Sequence, residues 1–548
     1  MRLFSNFVIA AALVTGSRAA AQVKIGKTTL IGRDIPTLQQ EFFGGIPYAE
    51  PPLGRLRLQP PLLKTGLDSK SFDASDYGPG CLQPDATFPV SEDCLTINIL
   101  RPSNVTPHAK LPVLFWVYGG GFQGGVSSIF NASLIVAQSV ARGTPLIYVN
   151  FNYRLGPLGF PQGQEAADRR ALNLALKDEI AALEWIQHNI GVFGGDKDKV
   201  TVFGESAGAI MTSILFLNSP LERLARGAIL ESGSQASSLN SHASRREIDW
   251  TNFVSGVTSC SSEAGSHNTF DCLRRANSSE MLPGVLNAIS KAPEQFAFDP
   301  TIDGPGGLYP DLPSRIFARG KFAKIPFISG TNLDEGTGFT SQTVNSEEQI
   351  RDTIIANFSP PIVPASQLND TADKLLKLYP DIPALGAPFN TGNETFGLSS
   401  QFKRAAALES DVAFHSQRRF FQQTAASAGV KSWGYLFTQP QPGLPPSLEV
   451  KLPLPKAMTP DPSPSALKLS ATMIDYWVSF ATSLNPNDGK GLQRPIWEDY
   501  TVNNERVIQL NGDNTTMIPD TFRREQIDFI NSIPVVFLHR RNVDKDLS

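Results

Sequence analysis

Gly204-Glu-Ser206-Ala-Gly208 sets one serine between two glycines, directly after the β-branched and aromatic run Thr201-Val-Phe203. Lys199 to Phe203 reads as a buried strand and Ala207 to Leu217 as a helix, so Ser206 falls on the sharp turn between them. A turn that tight holds its serine in strained backbone geometry, and a side chain at either glycine would collide with the crossing strand or helix. The hydroxyl then stands at the N-terminal end of a helix, where developing negative charge is favoured. The chemistry this suits is nucleophilic attack on a carbonyl carbon. Acyl transfer also requires amide donors for the oxyanion. Gly119-Gly-Gly-Phe122, at the end of the apolar run Leu111 to Tyr118, offers backbone that can approach a substrate closely and turn successive N–H groups towards its carbonyl oxygen. A glycine turn after a strand is common; the two motifs in this order are not.

The elements that must position these groups alternate between strand and helix. Apolar runs at Leu111 to Tyr118, Pro145 to Asn150, Lys199 to Phe203, Gly227 to Leu230, Ile325 to Ser329, Trp433 to Phe437 and Arg506 to Leu510 read as buried strands. Asp93 to Leu100 alternates as a strand, and Val23 to Ile46 reads as short antiparallel strands. Asn173 to Ile190 carries Leu174, Ile180, Leu183, Trp185, Ile186 and Ile190 on a helical face and leaves Lys177, Glu179 and Glu184 for water. Strands separated by helices imply an α/β fold, with a central, mostly parallel sheet covered on both faces. The irregular stretches from Ser234 to Ala323 and from Thr340 to Leu408 are expected to wall a pocket above the sheet.

Composition sets outer bounds. The chain has 548 residues, a formal charge of -4 and no long Lys/Arg block, which gives no footprint for nucleic acid or an anionic membrane. Met1-Arg2, the apolar run Leu3 to Val14 and Ser17-Arg-Ala-Ala-Ala21 have the three parts of a secretory signal peptide, with cleavage expected after Ala21. No later segment is long and apolar enough to span a bilayer, so residues 22–548 read as one secreted catalytic domain. Seven N-x-S/T sequons, at Asn104, Asn131, Asn277, Asn357, Asn369, Asn393 and Asn514, fit passage through a secretory route and a glycoprotein product. In such a chain, local pairing of Cys81 with Cys94 and Cys260 with Cys272 is the simplest of three connectivities. Neither spacing, without a nearby histidine cluster, resembles a zinc site, and H-x-x-H ligand pairs are missing, which disfavours a metal-dependent hydrolase.

The chain resembles the type-B carboxylesterase and lipase family, which includes cholinesterases and secreted fungal esterases. The resemblance rests on Phe43-x-Gly-Ile-Pro-Tyr-Ala49, Glu92-Asp-Cys-Leu-x-x-Asn98, Gly119-Gly-Gly-Phe122, Asn152-Tyr-Arg-Leu155, Phe193-Gly-Gly-Asp196, Gly204-Glu-Ser-Ala-Gly208 and Asp334-Glu-Gly336. It implies an α/β-hydrolase fold, no cofactor, an ester or lipid substrate, and a triad in the order Ser, Glu, His. Carried onto this sequence, it makes Ser206 the nucleophile, Glu335 the acid, and Gly120, Gly121 and Ala207 the oxyanion donors. Asp334 is then a turn-former, Glu205 and Ser232 fall at supporting positions, and the two local disulfides coincide with the family's. Family lipases that act at oil interfaces carry a long flap closed by the first disulfide. The loop from Leu82 to Asp93 is short, which favours an esterase for soluble or modest-chain esters.

One part of the pattern is missing. A serine triad needs a histidine to take the serine proton and hand it to the leaving alcohol. The resemblance places it after Trp433 to Phe437, yet Thr438 to Ala466 is rich in proline and contains no histidine. Of His108, His188, His242, His267, His415 and His539, only the last two follow Glu335; His415 reads as a packed or half-exposed helix residue, and His539 lies in a basic tail. Two readings follow. Either Ser447 to Pro460 derives from a misassigned exon boundary, or the chain has lost its base and is an inactive binding or adhesion protein on the same fold. The intact elbow, acid and glycine run favour the first.

Overall fold

The computed structural model describes residues 20–218, 220–238, 242–292, 296–357, 363–439, 463–533 and 536. The leader expected over 1–21 falls outside them as far as residue 19, as do residues 440–462 and His539.

Eleven strands form the main sheet. In chain order they are β1 (Arg33–Ile35), β2 (Gln40–Pro47), β3 (Thr96–Pro102), β4 (Leu111–Val117), β5 (Ile147–Phe151), β6 (Gly195–Glu205), β7 (Gly227–Glu231), β8 (Phe327–Asn332), β9 (Ser432–Phe437), β10 (Arg506–Leu510) and β11 (Thr516–Pro519). Their order across the sheet is β11-β10-β9-β8-β7-β6-β4-β5-β3-β2-β1. The strands from β5 through β4 and β6 to β10 run parallel; β1, β2 and β3 at one side and β11 at the other pair antiparallel. Every residue of β5, β7, β8 and β9 is buried, as a sheet covered on both faces requires.

The flanking helices that matter most for the site are α1 (Leu174–Asn189), α2 (Ala207–Leu215), α3 (Ser400–Ser410), α4 (Ser416–Ser427) and α5 (Pro464–Ser483), with a π-helical turn at Asp411–His415 joining α3 to α4. α1 and α2 pack on each other and on β6, whereas α5 packs on β4 and β6 with the helix Ser133–Ala141. The strand expected from Ile325 begins two residues later, because Pro326 has no N–H to give to the ladder. α1 departs further from expectation. Glu179 is fully buried and accepts a hydrogen bond from Thr212 Oγ1 of α2 at 2.8 Å, while Lys177 is half-buried and Glu184 exposed. Burial pushes the Glu179 carboxyl up to about 8, so it is held neutral beneath its neighbour helix.

Both local disulfides form, with Cα separations of 5.1 Å for Cys81–Cys94 and 5.7 Å for Cys260–Cys272. Near them, Arg57 makes a buried ion pair with Glu92 at 2.6 Å, and Asn98 accepts from the Gly45 amide at 2.9 Å. Asn98 and Gly45, both motif residues, thus tie β3 to β2 on the antiparallel side of the sheet.

Candidate active site

β6 delivers Ser206 to the top of the parallel sheet. Its backbone adopts φ 51° and ψ -122°, a conformation that L-residues avoid. The turn is held by the Ser206 amide, which donates to the Glu231 carbonyl at 2.9 Å, and by the Ser206 carbonyl, which accepts from the Ile210 amide at 2.9 Å. Both flanking glycines are sterically required. A Cβ on Gly204 would lie 2.8 Å from Gly208 C, and one on Gly208 would lie 2.0 Å from the Val117 carbonyl oxygen.

The glycine run follows β4 and meets this turn. A Cβ on Gly119 would stand 2.5 Å from Glu205 Oε2 and 2.9 Å from Ser206 Cβ, so the glycine backbone packs directly against the elbow. Gly120 has φ 118° and Gly121 φ 59°. The Gly120 carbonyl closes a turn by accepting from the Gly124 amide at 3.0 Å. Gly121, Phe122, Ser206 and Ala207 share the wall of one cavity of about 660 Å³. The two long insertions supply most of the remaining described lining, including Phe296, Ile350 and Leu375, and Phe339 joins it from just before the second.

Glu335 follows β8 and is buried behind the elbow. Its carboxylate accepts from the Asn332 amide at 2.7 Å and from Asn332 Nδ2 at 3.2 Å, and also bonds the Ser232 side chain. Burial pushes its carboxyl up to about 7 despite those bonds. Asp334 points elsewhere: its carboxylate accepts from the Phe389 amide at 2.7 Å, and its carbonyl accepts from Thr337 Oγ1 at 2.7 Å. The two adjacent acids, which the sequence leaves hard to separate, therefore face different surroundings.

Sequence reasoning gave Glu205 only a supporting place and missed Glu231. Burial, with repulsion from Glu231 and Glu335, pushes Glu205 up to about 8. Glu231 is raised to about 7 by burial, although Trp477 Nε1 of α5 donates to it. Three acids thus gather beneath Ser206. An acid at the end of a buried parallel strand, as at Glu231, was the available signal.

The described lining contains no histidine. His108, His188, His242 and His267 are exposed. His415 is fully buried in the π-helical turn, where Nδ1 lies 2.9 Å from Thr331 Oγ1 and the ring stands edge-on to Phe522. Its neighbour Phe414 lines the cavity; His415 itself does not. Burial and the nearby Arg523, Arg418 and Arg419 drive its pKa well below the ordinary value, so it is a neutral packing residue. Among the described residues, no group of three His, Cys, Asp or Glu side chains could hold a metal ion.

The carboxylesterase family model matches residues 19–530. The chain belongs to the carboxylesterase family. Lipase 2 of Geotrichum candidum is 32% identical over 534 residues, spanning 88% of this chain and 91% of that protein. Secreted lipase 1 of Botryotinia fuckeliana is 33% identical, spanning 92% and 91%. Among solved structures, Aspergillus niger EstA superposes with a TM-score of 0.80 at 25% identity, over 95% of this chain and 99% of that one. This carboxylesterase is therefore an α/β-hydrolase by fold and a carboxylic ester hydrolase by family. None of its described helices is long and apolar enough to cross a membrane.

Proposed function

We propose that this carboxylesterase hydrolyses small or modest-chain carboxylic esters outside the cell through an acyl-enzyme on Ser206. Ser206 Oγ attacks the ester carbonyl carbon; the amides of Gly120, Gly121 and Ala207 receive the negative charge that moves onto its oxygen. The carbonyl re-forms as the alcohol leaves with the serine proton, and water reverses the sequence to release the acid. Glu335 orients the base and stabilises its charged form. The observation that carries this reading is the strained Ser206 backbone, which faces a cavity beside glycine amides and has no purpose in packing. The short Cys81–Cys94 loop covers little apolar surface and favours soluble esters over an oil interface. A sharp rate rise above the solubility limit of a triglyceride would count against that preference.

The base is the open position. Residues 438–466 carry no histidine, and loss of the histidine from a serine triad costs about 10⁶ in kcat. A misassigned exon boundary in that segment restores a full triad; the sequence taken literally gives a binding protein with a serine elbow. Labelling with a fluorophosphonate separates them. Natively secreted protein is expected to label rapidly at Ser206 and to hydrolyse nitrophenyl butyrate, with both lost in Ser206→Ala. If mass spectrometry confirms residues 438–466 as written and neither reaction is seen, the hydrolytic role fails and the binding role stands.

A further inference from the structure

The mechanism leaves one acid on the cavity wall unused. Glu409, on the last turn of α3, lines the same cavity as Ser206. The wall around it is apolar: Leu408 and Val412 from its own chain segment, Ile350, Ile354 and Leu375 from the second insertion, and Phe339 stacked on Phe414 at 5.4 Å. Among the described residues, the Glu409 carboxyl takes part in no hydrogen bond and no ion pair. Several other polar groups on the wall are committed within the protein. Arg246 and Asp299 pair with each other at 3.5 Å, and Thr353 Oγ1 donates to the Gln349 carbonyl at 2.9 Å.

Glu409 is half-buried and lines the cavity, so its carboxyl is free to bond a ligand there. Burial alone pushes its pKa up, with no nearby cation to oppose the shift. In either protonation state its carboxyl oxygens can accept a hydrogen bond. An alcohol can donate one. A cationic ligand group would have to shed its water against the apolar wall, at a desolvation cost that a neutral hydroxyl avoids.

We propose that Glu409 is a specificity residue that binds a hydroxyl group on the chain of the ester substrate, away from the bond that is cut. The reading rests on Ser206 as the nucleophile, because Ser206 fixes where the ester bond sits in the shared cavity. Esters of hydroxyalkanoic acids are the substrate class it selects. The apolar wall takes the methylene chain, and Glu409 rewards one separation between ester and hydroxyl.

The test measures binding to full-length Ser206→Ala protein, so that turnover does not interfere. Methyl hydroxyalkanoates of increasing chain length are compared with methyl alkanoates of equal length. One narrow range of lengths is expected to bind roughly tenfold more tightly with the hydroxyl than without. Glu409→Gln keeps part of that advantage, and Glu409→Leu abolishes it while binding the plain ester at least as well, which also shows that the variant is folded. The proposal is overturned if the hydroxyl helps at no length, if its advantage survives Glu409→Leu, or if amino analogues bind more tightly than hydroxy ones. Fluorophosphonate labelling of protein with Ser206 intact judges the nucleophile separately. Failure to label removes the catalytic reading without altering the binding comparison.

Discussion

A methyl group on Gly208 would press into the Val117 carbonyl oxygen at 2.0 Å, and both partners are backbone of buried elements with no side chain to swing aside. Relief has to come from α2 moving off β4, which carries the Ser206 hydroxyl away from the glycine amides. Gly208→Ala is therefore expected to lower unfolding free energy by about 1–3 kcal/mol and to suppress Ser206 labelling even where the protein remains folded. Urea melts and fluorophosphonate kinetics read the two effects separately; normal labelling in a destabilised protein would refute the coupling. At this scale the sequence was most legible where backbone sterics dictate residue type, as at Gly204, Ser206 and Gly208. It was least legible for Glu409 and Glu231. Their significance comes from what surrounds them, and no local pattern encodes that.

Arg57 joins parts of the chain that local reading treats separately. Its guanidinium meets Glu92 at 2.6 and 2.7 Å, next to the Cys94 loop, and donates to the Ala276 carbonyl at 2.8 Å and to the Leu273 carbonyl, at the end of the helix that bears Cys272. The pair is buried, so removing one partner strands the other charge. Arg57→Ala is expected to cost about 3–5 kcal/mol, and Arg57→Met combined with Glu92→Leu distinctly less, both read from chemical denaturation. Equal losses would show that the methylene packing of Arg57 matters more than its charge. The contrast also explains which elements could be anticipated. β4 to β10 announce themselves because each holds a short, mostly apolar run that the fold covers. α1 gave only half its packing: the apolar face was readable, but α2 covers the side that Glu179 occupies, and such coverage depends on tertiary contacts remote in sequence. The insertions remained irregular for the same reason, since the cavity they wall exists only once they meet.

Across the whole molecule, buried acids set opposing demands on pH. Glu335 and Glu231 are raised to about 7, Asp334 to about 7, and Glu205 and Glu179 to about 8, with burial the leading cause in every instance. In the unfolded chain such carboxyls titrate near about 4. Between these limits the folded state binds more protons than the unfolded state, so their contribution is fully present below about pH 4 and disappears as pH rises through about 7 to 8. Asp520 works in the opposite direction. Its ion pairs with Arg418 and Arg419 hold it at about 2 against burial, a contribution present above about pH 4 and lost as pH falls towards 2. The melting temperature is therefore expected to peak near about pH 4 and to fall steadily towards pH 8. Glu205→Gln should flatten the alkaline decline, because it removes both a buried acid and its repulsion of Glu231 and Glu335. Asp520→Asn should remove the acidic decline while lowering stability above pH 4. The proposed chemistry asks for the reverse of the stability optimum, since a Glu335 that acts as triad acid has to be ionised to hold a protonated base. Ser206 labelling is thus expected to rise through about pH 7 while the melting temperature falls over the same interval. If labelling and stability instead rise together between pH 5 and 8, the three acids beneath Ser206 do not share their protons as their burial dictates.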